Sequence, residues 1–357
     1  MQSKPTYLIL ENGTVFCGRS FGYEAETVGE IVFTTAMTGY MATLTDQGYK
    51  GQIVAQTFPL IGNYGVVSQE CESKGVAPSA YIVRELCQEP SNFRCEGALG
   101  VFLSEHKVVG VEGIDTRKLT RILRDNGSMA AKITYTLPEN LDATLAELEA
   151  YKAPNAVEAV TCKETAFVTP DNAAHKAVLW DLGASDTIIK ALTARGCEVI
   201  TVPAHTKAED ILAYSPDGVV LSNGPADPMA NPEIIAEIKK VADKKVPMLG
   251  ICLGHLMLAV SQGAKSVKLP HGHRGGMPSI RLSDKRVFIA SQNQGYTLDE
   301  ASLPANIKVS YKNGNDGTVE GVSYEDIPAI GVQFRPSRAG GPNATDFIYD
   351  EFIGMMK

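Results

Sequence analysis

Two different patterns of apolar and polar residues divide the chain. In its first part, short alternating stretches predict β-strands at residues 6–11, 14–20 and 29–35. Residues 115–127 predict a helix, because Asp115 can cap its start, apolar residues recur at helical spacing and Gly127 can end it. A second helix is predicted at 139–152. We therefore expect a β-rich domain with a few helices over residues 1–152.

From Lys176 onward, apolar runs that are typical of buried strands alternate strictly with amphipathic helical segments. This alternation predicts an α/β domain built on a doubly wound parallel sheet, over residues 176–357. Between the two patterns, residues 153–175 contain polar residues, proline and asparagine without a clear periodicity. Such a composition is typical of a linker, so we predict an interdomain linker there.

Composition and charge exclude several classes of protein. The chain has 44% apolar and 21% charged residues, as an ordinary globular protein does. Its formal charge of −8 argues against nucleic acid as a partner. No segment approaches the roughly 18 apolar residues of a membrane helix, and the N-terminal apolar run is too short for a signal peptide. Seven scattered cysteines, without C-x-x-C spacing, fit reduced thiols. We expect a cytoplasmic protein without a metal site or a membrane partner.

The stretch GICLGH, residues 250–255, is a candidate nucleophile turn. It places Cys252 between two glycines, after a predicted strand and before a predicted helix. Glycines permit a tight turn, and a following helix N-terminus stabilises a thiolate and offers N–H groups to an oxyanion. Ligands of parallel sheets bind at the carboxyl ends of strands, where this stretch lies. A buried structural cysteine is the alternative, and this motif alone does not decide between the two.

Several segments together resemble one family. GICLGH, LSNGPADP and SQNQGY, with FTTAMTGY, LTDQGY, IGNYG and IDTRKLTR in the first part, resemble the small, glutamine-hydrolysing subunit of carbamoyl-phosphate synthetase. The resemblance runs in order from about Tyr7 to Phe352 and includes motifs of that subunit's own N-terminal domain, so it is narrower than class I glutamine amidotransferases in general.

The resemblance implies a chemistry and a partner. The cysteine attacks the carboxamide of glutamine, forms a thioester and releases ammonia to a separate large subunit that binds ATP and bicarbonate. No cofactor is expected in this chain, and ATP and Mg²⁺ are expected on the large subunit. The lack of a G-x-x-x-x-G-K-[ST] motif here agrees with that division. Whether the product enters pyrimidine or arginine synthesis stays open.

The catalytic pair of the family is altered. Its C-terminal motif is Q-G-H-P-E, whereas the corresponding stretch here is QFRPS. Arg335 therefore stands at the position of the catalytic histidine, and Ser337 at that of the glutamate that orients it. Arginine keeps its proton in proteins, so Arg335 cannot protonate ammonia or activate the water that clears a thioester. It could still favour the thiolate of Cys252. We predict that glutaminase activity is impaired or lost.

Positions that contact glutamine in the family are partly changed as well. Gly48 replaces a serine, Ala226 replaces the second glycine of S-N-G-P-G, and Leu256 replaces the glutamine after C-L-G-H. Arg274 and Gln294 replace two histidines. The remaining expected contacts are Gly224, Leu253, Asn293 and Gly295. Tyr296 stands where the family has an aromatic neighbour of these residues. We expect glutamine to bind weakly or not at all.

Three functions are open at this point. The first is a carbamoyl-phosphate synthetase small subunit whose glutaminase is impaired, but which still binds its large subunit. The second is an active glutaminase with a relocated base, for which His273 is the first histidine to test. The third is a non-catalytic paralogue that acts as a binding or regulatory module, perceiving an anionic metabolite through Arg335 and Arg274. We take the first as our interpretation.

Overall fold

The structure is a computed structural model that describes residues 4–225, 227–338 and 343–356. The chain forms two compact units, Met1–Pro154 and Asn155–Lys357. In the described part of the chain, no helix combines the length and the apolar character that crossing a membrane requires.

The first unit is built on a closed barrel with the strand order β1-β2-β8-β6-β4-β3-β9. Its strands are β1 (Pro5–Leu10), β2 (Val15–Gly22), β3 (Thr27–Thr34), β4 (Ile53–Gln56), β5 (Leu60–Ile61), β6 (Ala80–Ile82), β7 (Glu85–Leu86), β8 (Val109–Glu112) and β9 (Met129–Thr134). Its helices are α1 (Tyr40–Thr45), α2 (Leu99–Glu105), α3 (Thr116–Asn126) and α4 (Asp142–Glu149), with 3-10 turns at Gln47–Tyr49 and Ser68–Glu70.

The β-rich character predicted for this unit is confirmed. The three predicted strands correspond to β1, β2 and β3, whose inward-facing apolar side chains are buried in the barrel core. Helix α3 begins where the sequence indicated, because the Asp115 carboxylate accepts a hydrogen bond from the backbone N–H of Lys118 at 2.9 Å. It ends at Gly127, whose φ of 88° lies in the left-handed region that suits glycine.

The second unit contains a large mixed sheet with helices on both faces. Its strands are β10 (Ala166–Val168), β11 (His175–Asp181), β12 (Cys197–Pro203), β13 (Gly218–Leu221), β14 (Met248–Ile251), β15 (Ser266–Arg281), β16 (Val287–Leu298), β17 (Ile307–Asn313), β18 (Val319–Tyr324) and β19 (Ala329–Val332). Its helices are α5 (Val157–Val160), α6 (Asp186–Thr193), α7 (Ala208–Ala213), α8 (Pro232–Ala242), α9 (Leu253–Ser261) and α10 (Phe347–Ile353), with 3-10 turns at Pro228–Ala230 and Glu300–Ser302.

The sheet has the order β10-β12-β11-β13-β14-β19-β18-β17-β15-β16, and strands β12 to β19 in that order pair in parallel. Along β11, Trp180 enters the core on one face and Leu179 enters the core on the other. The predicted doubly wound parallel sheet is thus confirmed. Strands β15 to β18 add an antiparallel extension that the alternation of strands and helices did not predict.

The predicted linker differs from the structure. The boundary between the units follows Pro154, and residues 155–175 belong to the second unit. Val157 on α5 is fully buried in the core of that unit. The Thr161 hydroxyl donates to the Asp181 carbonyl at 2.7 Å, and β10 pairs with β12. A few apolar side chains and paired backbone groups therefore fix a segment whose composition is typical of a linker.

Candidate active site

Cys252 occupies the turn between β14 and α9, as the sequence predicted. Its φ is 54° and its ψ is −105°, a backbone conformation that L-residues rarely adopt. Its backbone N–H donates to the Val332 carbonyl at the end of β19, at 2.8 Å. Such a conformation costs about 1–3 kcal/mol and persists only where the surroundings impose it.

Close packing explains the two glycines that flank Cys252. A Cβ at Gly250 would lie 2.7 Å from the His255 Cα, and a Cβ at Gly254 would lie 2.3 Å from the Leu221 carbonyl oxygen. These glycines let α9 press directly against the strands. The positive φ of the turn belongs to Cys252 itself.

The sulfur of Cys252 is almost closed to solvent and contacts polar groups at the edge of the apolar core. The side chain is 3% exposed. The thiol donates to the backbone carbonyl of Asn293 on β16, with 3.5 Å between Sγ and O. The side-chain amide of Gln333 donates to the sulfur, with 3.7 Å between Nε2 and Sγ. Asn293 was predicted from the sequence, whereas Gln333 was not, although it lies just two residues before Arg335.

Arg335 lies at the same edge of the sheet as Cys252. It follows β19, which pairs in parallel with β14, so both residues leave the carboxyl ends of adjacent strands. Its backbone N–H donates to the Ser291 carbonyl on β16 at 2.9 Å, two residues before the carbonyl that accepts from Cys252. Arg335 is 3% exposed, so a cationic side chain is buried near this edge of the sheet. Its correspondence to the catalytic histidine of the family stays a prediction.

Ser337 is oriented by the last helix. Its hydroxyl and the Tyr349 hydroxyl on α10 lie 3.1 Å apart and share a hydrogen bond. Next to it, the Arg338 guanidinium donates to the Ser291 hydroxyl at 3.2 Å. A short neutral side chain therefore occupies position 337, where the resemblance leads us to expect the carboxylate of the family.

Several predicted substrate positions lie around the start of α9. A Cβ at Gly224 would lie 2.2 Å from the Leu182 carbonyl oxygen, so only glycine fits there. Leu253 and Leu256 are buried in the apolar core on one face of the sheet. Leu256 thus offers a hydrocarbon side chain at a position where the resemblance leads us to expect an amide.

Other predicted positions lie on the antiparallel pair of strands β15 and β16. Arg274 pairs with Asn293 across these strands, and its guanidinium donates to the His271 carbonyl at 2.7 Å. Gly295 follows on β16, and Tyr296 packs against the apolar core. Ala226 lies outside the described residues.

Gly48 lies in the first unit, within the 3-10 turn Gln47–Tyr49. Its backbone N–H donates to the Asp46 carboxylate at 2.7 Å, which closes a tight turn. Its role in binding glutamine stays a prediction.

His255 does not have the surroundings of a catalytic base. It is fully buried, and neither ring nitrogen has a hydrogen-bond partner among the described residues. Burial lowers the pKa of its imidazole to about 3. The ring therefore stays neutral at ordinary pH and does not bond to the sulfur.

His273 is engaged in a polar cluster on the antiparallel extension. Its Nε2 lies 2.9 Å from the Asp316 carboxylate, and its Nδ1 lies 3.6 Å from the Glu320 carboxylate. Burial opposes protonation of His273, but these carboxylates outweigh it and raise the pKa of the imidazole. The ring is thus directed at carboxylates rather than at Cys252.

Glu320 is the centre of this cluster and was not predicted from the sequence. It is fully buried on β18, and its carboxylate accepts from the Gln292 amide at 2.5 Å and from the Asn313 amide at 2.9 Å. Gln292 precedes Asn293, so the cluster fastens the part of β16 that contacts Cys252. A glutamate in a strand usually faces solvent, so the sequence alone does not indicate that Glu320 is buried. Its burial follows from the pairing of strands β15 to β18.

Within the described residues, no cluster of three or more histidine, cysteine, aspartate or glutamate side chains has an arrangement that could hold a metal ion.

A strand-to-helix cysteine turn at the carboxyl edge of a doubly wound sheet is the arrangement of class I glutamine amidotransferases. The family model Glutamine amidotransferase class-I matches residues 178–355. The model Carbamoyl-phosphate synthase small chain, CPSase domain, matches residues 8–133. The chain belongs to the family of carbamoyl-phosphate synthase small chains.

Relatives described as carbamoyl phosphate synthase small chain match nearly the whole chain. The one from Clostridium perfringens is 46% identical and covers 97% of this chain and 98% of the relative. One from Bacillus cereus is 42% identical, with coverage of 98% and 95%. The one from Chlorobaculum tepidum is 41% identical, with coverage of 100% and 99%.

Proposed function

We propose that this chain is a small subunit that binds the large subunit of carbamoyl-phosphate synthase in the cytoplasm, but hydrolyses glutamine poorly or not at all. The observation that carries the proposal is the buried guanidinium of Arg335, which follows β19 at the edge where Cys252 leaves β14. A general acid–base group must gain and lose a proton during each turnover, and a guanidinium does not.

Each half of the reaction depends on that missing group. In the first half, the Cys252 thiolate attacks the carboxamide carbon, and the departing nitrogen needs a proton to leave as ammonia. In the second half, a base must take a proton from the water that cleaves the thioester. Loss of such a group typically lowers a rate by about 10²- to 10⁴-fold.

The surroundings of the histidines support this proposal over a relocated base. His255 is neutral and without a hydrogen-bond partner among the described residues, and His273 bonds to Asp316. Substrate binding is proposed to be weaker as well, because Leu256 replaces an amide with a hydrocarbon side chain. A lost hydrogen bond in a charged site weakens binding by about 1.5–3 kcal/mol.

The proposed remaining role is structural and depends on the large subunit. That subunit would bind ATP and Mg²⁺ and would use free ammonia, while this chain supplies the contacts that keep the complex competent. We propose no cofactor for this chain. The family of the chain supports the partner, and the altered pair Arg335 and Ser337 supports the loss of glutamine as nitrogen donor.

The test uses the full chain purified with the large subunit of its own organism. Glutamate release from glutamine is measured with and without that subunit, and carbamoyl phosphate synthesis is measured with glutamine and with an ammonium salt. We expect a stable complex, synthesis from ammonium and glutamine turnover near the detection limit. Hydrolysis at an ordinary enzymatic rate would refute the loss of glutaminase, and His273→Gln would then test the relocated base.

Restoring the family residues tests the cause. Arg335→His with Ser337→Glu should recover part of the glutamine turnover, and adding Leu256→Gln and Gly48→Ser should recover more. Cys252→Ser in the restored chain is the matched control, because it should abolish the gain without touching the new pair. A restored chain that stays inactive while it binds the large subunit would show that other residues cause the loss.

A further inference from the structure

Gln333 is a buried glutamine that contacts the sulfur of Cys252. It follows β19 directly, is fully buried, and places its Nε2 3.7 Å from Sγ. Its backbone N–H donates to the Glu320 carbonyl on β18 at 2.8 Å, so the backbone of the residue is anchored to the neighbouring strand. The strand pairing therefore fixes the backbone of Gln333, and burial keeps its side-chain amide out of solvent.

The contacts of the sulfur decide which end of the amide faces it. A thiol carries one hydrogen, and here it points to the Asn293 carbonyl at 3.5 Å. A second polar neighbour of the sulfur must then be a donor. The Gln333 nitrogen, rather than its oxygen, meets that requirement.

The two contacts act on the sulfur in opposite ways. The Asn293 carbonyl accepts a hydrogen bond from the neutral thiol and offers nothing to a thiolate. The Gln333 N–H group bonds to both forms, but more strongly to the anion, because charge-assisted hydrogen bonds are the stronger ones. An amide does not titrate, so this donor is present at every pH.

We propose that Gln333 is a positioning residue for the nucleophile of this family: its amide holds the Cys252 sulfur in the turn and favours the thiolate. The proposal rests on the proposed function only because it takes Cys252 as the nucleophile. It does not require turnover of glutamine. It makes the activation of the sulfur separate from the missing histidine, which would serve proton transfer.

The test compares Gln333→Met, which removes the donor at similar size, with Gln333→Glu, which places an acceptor there. Ultraviolet absorbance of the thiolate is titrated against pH in each full-length protein, and the same protein with Cys252→Ser is subtracted. We expect the midpoint of the Cys252 transition to rise by about one pH unit in Gln333→Met, about tenfold less thiolate at a given pH, and by more in Gln333→Glu. Gln56→Met, at a buried glutamine of the first unit, should leave the midpoint unchanged.

Cys197 reports whether each variant is folded, because it is fully buried in the same unit and should resist thiol reagents. If Gln333→Met exposes Cys197, the test relies on the isosteric variant Gln333→Glu instead. An unchanged midpoint in folded Gln333→Met, or a lower one in Gln333→Glu, would overturn the proposal, as would a wild-type sulfur without any transition before unfolding. A wild-type chain that hydrolyses glutamine would refute the proposed function but not this result.

Discussion

His255 should make the second unit less stable in mildly acidic solution. The ring is fully buried and has no hydrogen-bond partner among the described residues, and burial lowers its pKa from 6.5 to about 3. Below pH 6.5, the unfolded chain binds a proton that the folded chain excludes. The stability linked to His255 is therefore fully present above the unfolded pKa and is lost progressively as the pH falls toward the folded one.

The size of the effect follows from one proton per molecule. Each pH unit between the two pKa values is worth about 1.4 kcal/mol. Between about pH 7.5 and about pH 5, His255 should therefore lower the free energy of unfolding by about 2 kcal/mol. A typical domain is stable by only about 5–15 kcal/mol, so the loss is readily measured.

The assay is urea unfolding at both pH values, for the wild type and for His255→Asn. Trp180 is the single tryptophan and is fully buried in the second unit, so its fluorescence follows that unit. Subtracting the variant cancels the other titrating groups. The wild type should lose about 2 kcal/mol more than the variant on acidification. His255→Leu is the control: its absolute stability will differ, but its pH dependence should match that of His255→Asn. An equal loss in wild type and variants would show that His255 is paired or hydrated, which would refute the reasoning.

Three further predictions concern nearby features. The pKa of His273 is raised, because nearby carboxylates outweigh its burial. The stability that His273 contributes is therefore present below the unfolded pKa and is lost as the pH rises through the folded pKa. His273→Gln should cost more stability at pH 6 than at pH 9 in the same assay. Gly254→Ala should lower the free energy of unfolding by about 3 kcal/mol, since its Cβ would lie 2.3 Å from a β13 carbonyl oxygen. Gly97→Ala is its control, because a Cβ there meets no described atom within 4 Å. Burial, with Asp181, raises the pKa of Cys162 to about 12, so iodoacetamide near neutral pH should label the exposed Cys17 before Cys162, and the reverse order in peptide mapping would contradict this.

The parts of the fold that depend on local pattern could be predicted from the sequence. The cap of Asp115 on α3 and the turn at Cys252 each involve residues that are close in the chain. The alternation of strands and helices also predicted the parallel centre of the sheet. Each of these features is set by periodicity, capping or glycine spacing, which a single sequence displays.

The contacts that hold the sulfur could not be predicted in this way. Gln333 meets Cys252 across 81 residues of chain, and Gln292 meets Glu320 across 28. The first contact depends on the parallel register of β14 and β19, and the second depends on the register of the antiparallel extension. In either case, a shift of one residue would reverse the face of each side chain. The segment 155–175 was misjudged for a related reason, because its packing rests on a few apolar side chains, such as Val157, within a polar composition.

The turn at Cys252 has a consequence for how shape relates to activity. Its unusual backbone angles are imposed by α9 lying against β13, through Gly254, and by the hydrogen bond to β19. The scaffold would keep this shape whether or not a proton acceptor stood nearby. Backbone superposition alone would thus group the chain with other class I glutamine amidotransferase domains, whatever side chains stand at residues 335 and 337. For the same reason, the proposed restoring exchanges at residues 335 and 337 would act on a backbone turn that is already formed.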